Sequence, residues 1–174
     1  MALTSDLTVR FLANYTTTKD LGNIPASNLD FQQKIQLASG VGAGQADKLW
    51  YDERTLAASA TEDLDLSGGQ TDDFGVSFTI ARIKAIAIKA APVSGVANTN
   101  NVVVGAASAA QWAALLGTTG TVTLRPGSLF VAMAGGADAT GYVCAAGATD
   151  LLKIANSAGG TSVTYQIVVI ACSA

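Results

Sequence analysis

The carboxylates between Glu62 and Asp73 are the densest chemical feature of this chain. Glu62, Asp63, Asp65, Asp72 and Asp73 lie close together in sequence. On adjoining loops they could supply the roughly six to eight oxygens that Ca²⁺ takes. The spacing is not that of an EF-hand, and the alternation Asp63-Leu64-Asp65-Leu66 turns both aspartates away from the face that Leu64 and Leu66 would bury. A solvated face or a salt-bridging contact is the better expectation, with no metal and no cofactor. Gly40-Val-Gly-Ala-Gly44 has the glycine content of a phosphate loop, but a polar, aromatic stretch (Asp47-Lys-Leu-Trp-Tyr-Asp-Glu53) follows where the helix should begin. Asp73-Phe74-Gly75 spells a kinase tripeptide without the catalytic loop or lysine motif that gives it meaning.

Catalysis has little to draw on. The chain contains no histidine, so its many serines and threonines lack the usual base. Cys144 lies between Val143 and Ala145, the setting of an inert thiol. Cys144 and Cys172 both fall in apolar, strand-like stretches and read as buried reduced thiols, with a disulfide between them left open. Trp50-Tyr51 and Trp112 could stack on a sugar, although aromatic residues in small β proteins more often fill a core or an interface. The chain is expected not to be an enzyme.

Charge is unevenly distributed. Val76 to Ala174 carries only Arg82, Lys84, Lys89, Arg125, Asp138, Asp150 and Lys153, while the first 75 residues hold eleven acids and five bases. A net charge of −3 argues against nucleic-acid binding, which needs a basic face. The apolar tail from Tyr165 to Cys172 is too short to span a bilayer, and no secretion signal is visible in MALTSDLTVRF, so no membrane partner and a cytoplasmic site of synthesis are expected. Alanine supplies much of the 49% hydrophobic content and aromatics only 6%, which predicts a thin core that relies on assembly for stability.

The elements that must position these residues read as strands. Leu7 to Ala13 suits a first strand or an extended arm, and Asn14 to Asn28 a loop or a segment draped over a neighbour. Phe31, Ile35 and Leu37 share a face. Lys48–Ala58, Thr61–Leu66, Val76–Ala91, Asn101–Gly105, Gly120–Leu124, Ser128–Ala134, Tyr142–Ala145, Leu151–Ala155 and Val163–Cys172 follow, separated by Gly, Asn and Pro turns. One short helix is predicted over Ser108–Leu116, capped by Ser108 and ended by Gly117. The expected architecture is all-β: an antiparallel β-sandwich, jelly-roll-like, over residues 31–174, preceded by an arm over residues 1–30.

In Leu7-Thr-Val-Arg10 with its polar arm, in Trp50-Tyr-Asp-Glu-Arg-Thr-Leu-Ala-Ala58 leading into Thr61-Glu-Asp-Leu-Asp-Leu66, and in Val122-Thr-Leu-Arg-Pro-Gly127, Gly141-Tyr-Val143, Asp150-Leu-Leu-Lys-Ile-Ala-Asn156 and Tyr165-Gln-Ile-Val-Val169, the chain resembles small structural proteins of tailed bacteriophages. The resemblance implies a capsid decoration (cement) protein on the virion surface, commonly trimeric, whose partners are the major capsid protein and further copies of itself. A receptor- or glycan-binding domain of a fibre or spike, and a tail-tube or head-completion subunit, are the alternatives. The residues expected to carry assembly are Leu7, Val9, Phe11 and Tyr15 of the arm, with Asp63, Asp65, Asp72 and Asp73 of the acidic region.

Overall fold

The computed structural model describes residues 2–174, and it is almost entirely β. Two long strands, β1 (Ser5–Thr16) and β2 (Ala26–Ser39), open the chain, followed by the short β3 (Gln45–Ala46), β4 (Lys48–Leu56) and β5 (Thr61–Asp65). A small ribbon, β6 (Gln70–Thr71) with β7 (Ser77–Phe78), precedes β8 (Arg82–Lys89), β9 (Val102–Gly105), β10 (Thr121–Leu124) and β11 (Leu129–Met133). The short β12 (Tyr142–Val143), β13 (Leu151–Asn156) and β14 (Val163–Cys172) complete the chain.

Two antiparallel sheets make the sandwich. One has the order β10-β9-β13-β5; the other is β11-β8-β14-β4, with β12 beside β8. Counting β4, β5, β8, β9, β10, β11, β13 and β14 as first to eighth, one sheet runs first, eighth, third, sixth and its counterpart second, seventh, fourth, fifth. The period-2 pattern explains why these segments are strands. Leu152 and Ile154 of β13 point inward to meet Tyr165, Ile167 and Val169 of β14, all of them buried. Trp50, Trp112 and Tyr165 also belong to this core, whereas Phe11, Tyr15, Phe31, Tyr51 and Phe74 are exposed.

The segment Ser108–Leu116 is a run of turns joined to the sheet by a parallel bridge between Gln111 and Leu151, not the helix its composition predicts. Ala110 adopts φ 42°, which no right-handed helix allows, and its carbonyl accepts the N–H groups of Asp150 and Leu151. The Trp112 N–H donates to the Leu151 carbonyl, and its indole N–H to the Val143 carbonyl at 3.0 Å. Backbone groups that a short helix would satisfy internally go to the sheet instead. Such a helix is marginal alone, so these tertiary bonds win.

Asn14–Asn28, expected as a loop or a segment draped over a neighbour, is a loop over residues 17–25, and only its ends, residues 14–16 and 26–28, belong to strands. β1 and β2 form one hairpin in register from Ser5↔Leu37 to Thr16↔Ala26, so the arm includes residues up to Ser39. Its tip is closed by the Thr17 N–H on the Pro25 carbonyl and by a single 3₁₀ turn at Asp20–Gly22. The hairpin's root packs on the outer face of the sandwich, where Ile35 and Leu37, with Leu3 and Leu7 beside them, meet Ala85, Ile170 and Met133.

Candidate assembly interface

Every residue from Arg10 to Lys34 is exposed, so beyond its root the hairpin projects from the sandwich with no residue buried against it among the described residues. At about 3.4 Å per residue the twelve paired positions make a ribbon about 40 Å long. Its two faces differ. Odd positions of β1 and their partners form one face: Leu7/Ile35, Val9/Gln33, Phe11/Phe31, Ala13/Leu29 and Tyr15/Ser27. This apolar face continues the buried root cluster into solvent, with Phe11 61%, Phe31 55%, Leu29 56% and Tyr15 74% exposed. The Phe11 and Phe31 rings lie 6.1 Å apart and stabilise each other across the strands.

The opposite face, apart from Leu12 and Ala26, is polar and paired within itself. Arg10 makes a bidentate contact with Asp30 at 2.8 Å, and Lys34 meets Asp6 at 2.8 Å. The Lys34 hydrogen bond holds the Asp6 carboxyl below its usual range. These exposed pairs contribute little to stability, but they leave the polar face satisfied and the apolar one uncovered. A two-stranded ribbon is marginal in water, so its apolar side suits a partner surface. Of the arm residues singled out in the sequence, Leu7 and Val9 sit half-buried near the root, and Phe11 and Tyr15 stand free on the same face.

The structure does not bring the four acidic candidates together with this face. Asp63 is exposed on β5, opposite Lys153 in the register. Asp65 caps the following turn, accepting from the N–H groups of Ser67 and Gly68 and from Ser67 Oγ. Asp72 closes the turn between β6 and β7 by accepting from the N–H groups of Phe74 and Val76. Asp73 accepts from the Tyr51 hydroxyl at 2.5 Å, and that bond raises the phenol's pKa. Among the described residues no group of three or more His, Cys, Asp or Glu side chains is placed to hold a metal ion.

The remaining chemical candidates resolve into structural roles. Both cysteines are free and buried. Burial, with Asp150 and Asp65 nearby, pushes the Cys144 thiol up to about 12, the opposite of an activated nucleophile. Trp50 is buried, whereas Tyr51 is half-exposed and borders a cleft of about 570 Å³ shared with Phe74, Phe78 and Asp73. Arg54 bridges Asp52 and Glu62, and the buried Tyr165 hydroxyl donates to Glu62 at 2.7 Å, tying the two sheets together at one edge.

Several polar anchors gave no sequence signal. Lys84, 2% exposed, donates from Nζ to the carbonyls of Asp138 and Ala139 and so pins the glycine-rich 135–141 loop. Buried Asn98 donates to the carbonyls of Ala90 and Thr164 and accepts the Thr164 N–H. Only the tertiary fold reveals these contacts, because each joins residues distant in sequence.

Together these features define a class: a rigid all-β sandwich that presents a projecting amphipathic ribbon. Compared with known proteins, the chain matches no family model, no curated protein and no solved structure.

Proposed function

We propose that this chain is a virion structural protein of a tailed bacteriophage that decorates the capsid, bridging neighbouring capsomers without catalysis. The hairpin is the observation that carries this reading. A two-sheet sandwich with its own buried core supports a ribbon whose apolar side needs a surface to cover it. Mechanically, such a ribbon reaches across a seam, buries apolar area on the far side and raises the barrier to rupture. The strand order, first-eighth-third-sixth against second-seventh-fourth-fifth, supports reading the sandwich as a jelly roll. The major capsid protein and further copies of the chain, as a homotrimer, are the partners in this reading, and the capsid surface its location.

Quantitative mass spectrometry of purified particles tests it. Hundreds of copies, on the scale of the major capsid protein, support decoration; absence from the particle overturns it. A second reading, a glycan-binding domain of a fibre or spike, draws on the cleft beside exposed Tyr51 and Phe74. It predicts a few to a few tens of copies and glycan binding lost in Tyr51→Ala.

A further inference from the structure

We infer that the apolar face of the hairpin is covered by the outer sheet of a second copy of this chain, so that copies associate by hairpin exchange. The inference rests on the reading of the hairpin as an assembly element, and it names the occupant.

The root of the hairpin already shows the contact on a small scale. Leu7, Ile35 and Leu37 lie over one cross-strand row of the outer sheet face, formed by Met133, Ala85, Ile170 and Leu49. The next row of the same face is Val131, Ala87, Val168 and Tyr51. Its own side chains are uncharged, and only at the Tyr51 end does a carboxylate, Asp73, adjoin it, yet Val131, Val168 and Tyr51 are 37%, 39% and 52% exposed. Alanine, standing between two valines, is the smallest side chain of the row, and we read the row as a shallow trough that can take an aromatic ring.

Two uncovered surfaces of matching chemistry therefore extend from one buried cluster: the trough on the sheet and the Phe11/Phe31 and Ala13/Leu29 pairs on the ribbon. The chain cannot join them within itself, since both are exposed in the folded monomer. A second copy can. The ribbon face presents roughly 500 Å² of apolar side chain and the trough roughly 300 Å², judged from aromatic side chains that bury 150–250 Å² each. Each copy gives one surface and receives the other, so it buries roughly 800 Å² over its two contacts, an area that closure into a ring makes cooperative. The polar face, with its charges paired, remains toward solvent. A contact between two different patches runs head to tail, and it closes when the rotation permits.

The test uses the full-length protein, with Phe11→Glu spoiling the ribbon and Val168→Glu spoiling the trough. Both positions are exposed, so an unchanged circular dichroism spectrum and a cooperative melt are expected, at a temperature lowered only by the lost association. Native mass spectrometry at 10 µM should show a multiple of the 17.5 kDa chain for the unsubstituted protein. Each variant should dissociate at least a hundredfold more readily and run as a monomer. Mixing the two variants should restore a heterodimer, because the intact ribbon of one fits the intact trough of the other.

An unsubstituted protein that stays monomeric at 10 µM overturns the inference. So does a Val168→Glu protein that keeps its full assembly while Phe11→Glu loses it, a result that would pair ribbon with ribbon. A monomer that still attaches to phage shells through Phe11 would overturn hairpin exchange and leave the functional reading standing. An exchanged oligomer absent from particles would do the reverse.

Discussion

Excision of the distal hairpin separates the arm from the body most cleanly. A cut at residue 28 would leave β2 unpaired along its length, so the hairpin must be shortened symmetrically. The Thr17 N–H on the Pro25 carbonyl places hydrogen-bonded pairs at the odd positions of β1, among them Val9 and Gln33. Replacing Arg10–Gln32 by Asn-Gly closes that pair with a type I′ turn. The root cluster of Ile35, Leu37, Ala46, Ala85 and Ile170 is retained, as is the Lys34–Asp6 pair. What is lost is exposed side chains, one surface ion pair worth about 0–1 kcal/mol and the order of a ribbon that contributes nothing to the core. The net change in body stability should stay within about 1 kcal/mol, a shift of about 2–4 °C in melting temperature for a chain of this size. Thermal melts by circular dichroism read the stability, and co-sedimentation with phage shells lacking the protein reads attachment. The shortened protein should melt as the full chain does and fail to sediment with shells. A fall of more than about 8 °C, corresponding to about 2 kcal/mol or more, would refute the division into body and arm. Undiminished attachment would refute the arm's role.

Four further outcomes follow from the same structure. Asn98→Ala strips partners from two carbonyls and one N–H, costing roughly 2–4 kcal/mol in urea unfolding. Gly141→Ala should cost more than about 2 kcal/mol, because the residue sits at φ 64° and a Cβ would stand 2.6 Å from the Ile83 carbonyl oxygen. Burial, reinforced by Glu62, raises the Tyr165 pKa above the ordinary 10.0. Stability is therefore complete below pH 10 and lost as pH rises from there toward the folded value; Tyr165→Phe, about 1 kcal/mol weaker at pH 7, should lose less between pH 10 and 11.5. Both cysteines should resist a thiol reagent in the native protein at pH 8 and react fully in urea, whereas fast native labelling of Cys144 would contradict its burial.

The sandwich was legible because its strands alternate in sequence as they do in space. Leu64 and Leu66 turn inward while Asp63 and Asp65 stay out, as the period-2 pattern requires. The helix over Ser108–Leu116 was misread because composition and caps report only local preference, whereas Ala110 and Gln111 answer to β13. The loop expected over Asn14–Asn28 holds for residues 17–25, and the strand ends that flank it escaped notice for a related reason. Asn14, Thr16 and Asn28 lie on the ribbon's solvent side, and no core stands opposite Tyr15 or Leu29 to make the alternation look purposeful. Leu7, Val9, Phe11, Ala13 and Tyr15 in strict alternation was the available signal for the apolar face, and in the sequence four of these residues read only as contacts of an extended arm. The trough on the outer sheet was invisible, because Val131, Ala87, Val168 and Tyr51 come from four separate strands.

The placement of β14 also dictates an order of events as the chain is made. β4 has a single sheet neighbour, β14, and Thr55 waits 109 residues for its contact with Thr164. At about 5–20 residues per second, that is roughly 5–20 s in which Trp50 and Leu56 have no sheet to close over them. β8 pairs with β11 sooner, but its other edge stays open for the same β14. The hairpin needs nothing later than Ser39 to pair with itself. Its footing comes later, because Ala85, Met133 and Ile170, on which Ile35 and Leu37 rest, are made after it and a lone two-stranded ribbon is marginal in water. The emergence of Val163–Cys172 is therefore the step that closes the body and seats the hairpin at once, pairing with β4 and β8 and bringing Ile170 under Ile35 and Leu37.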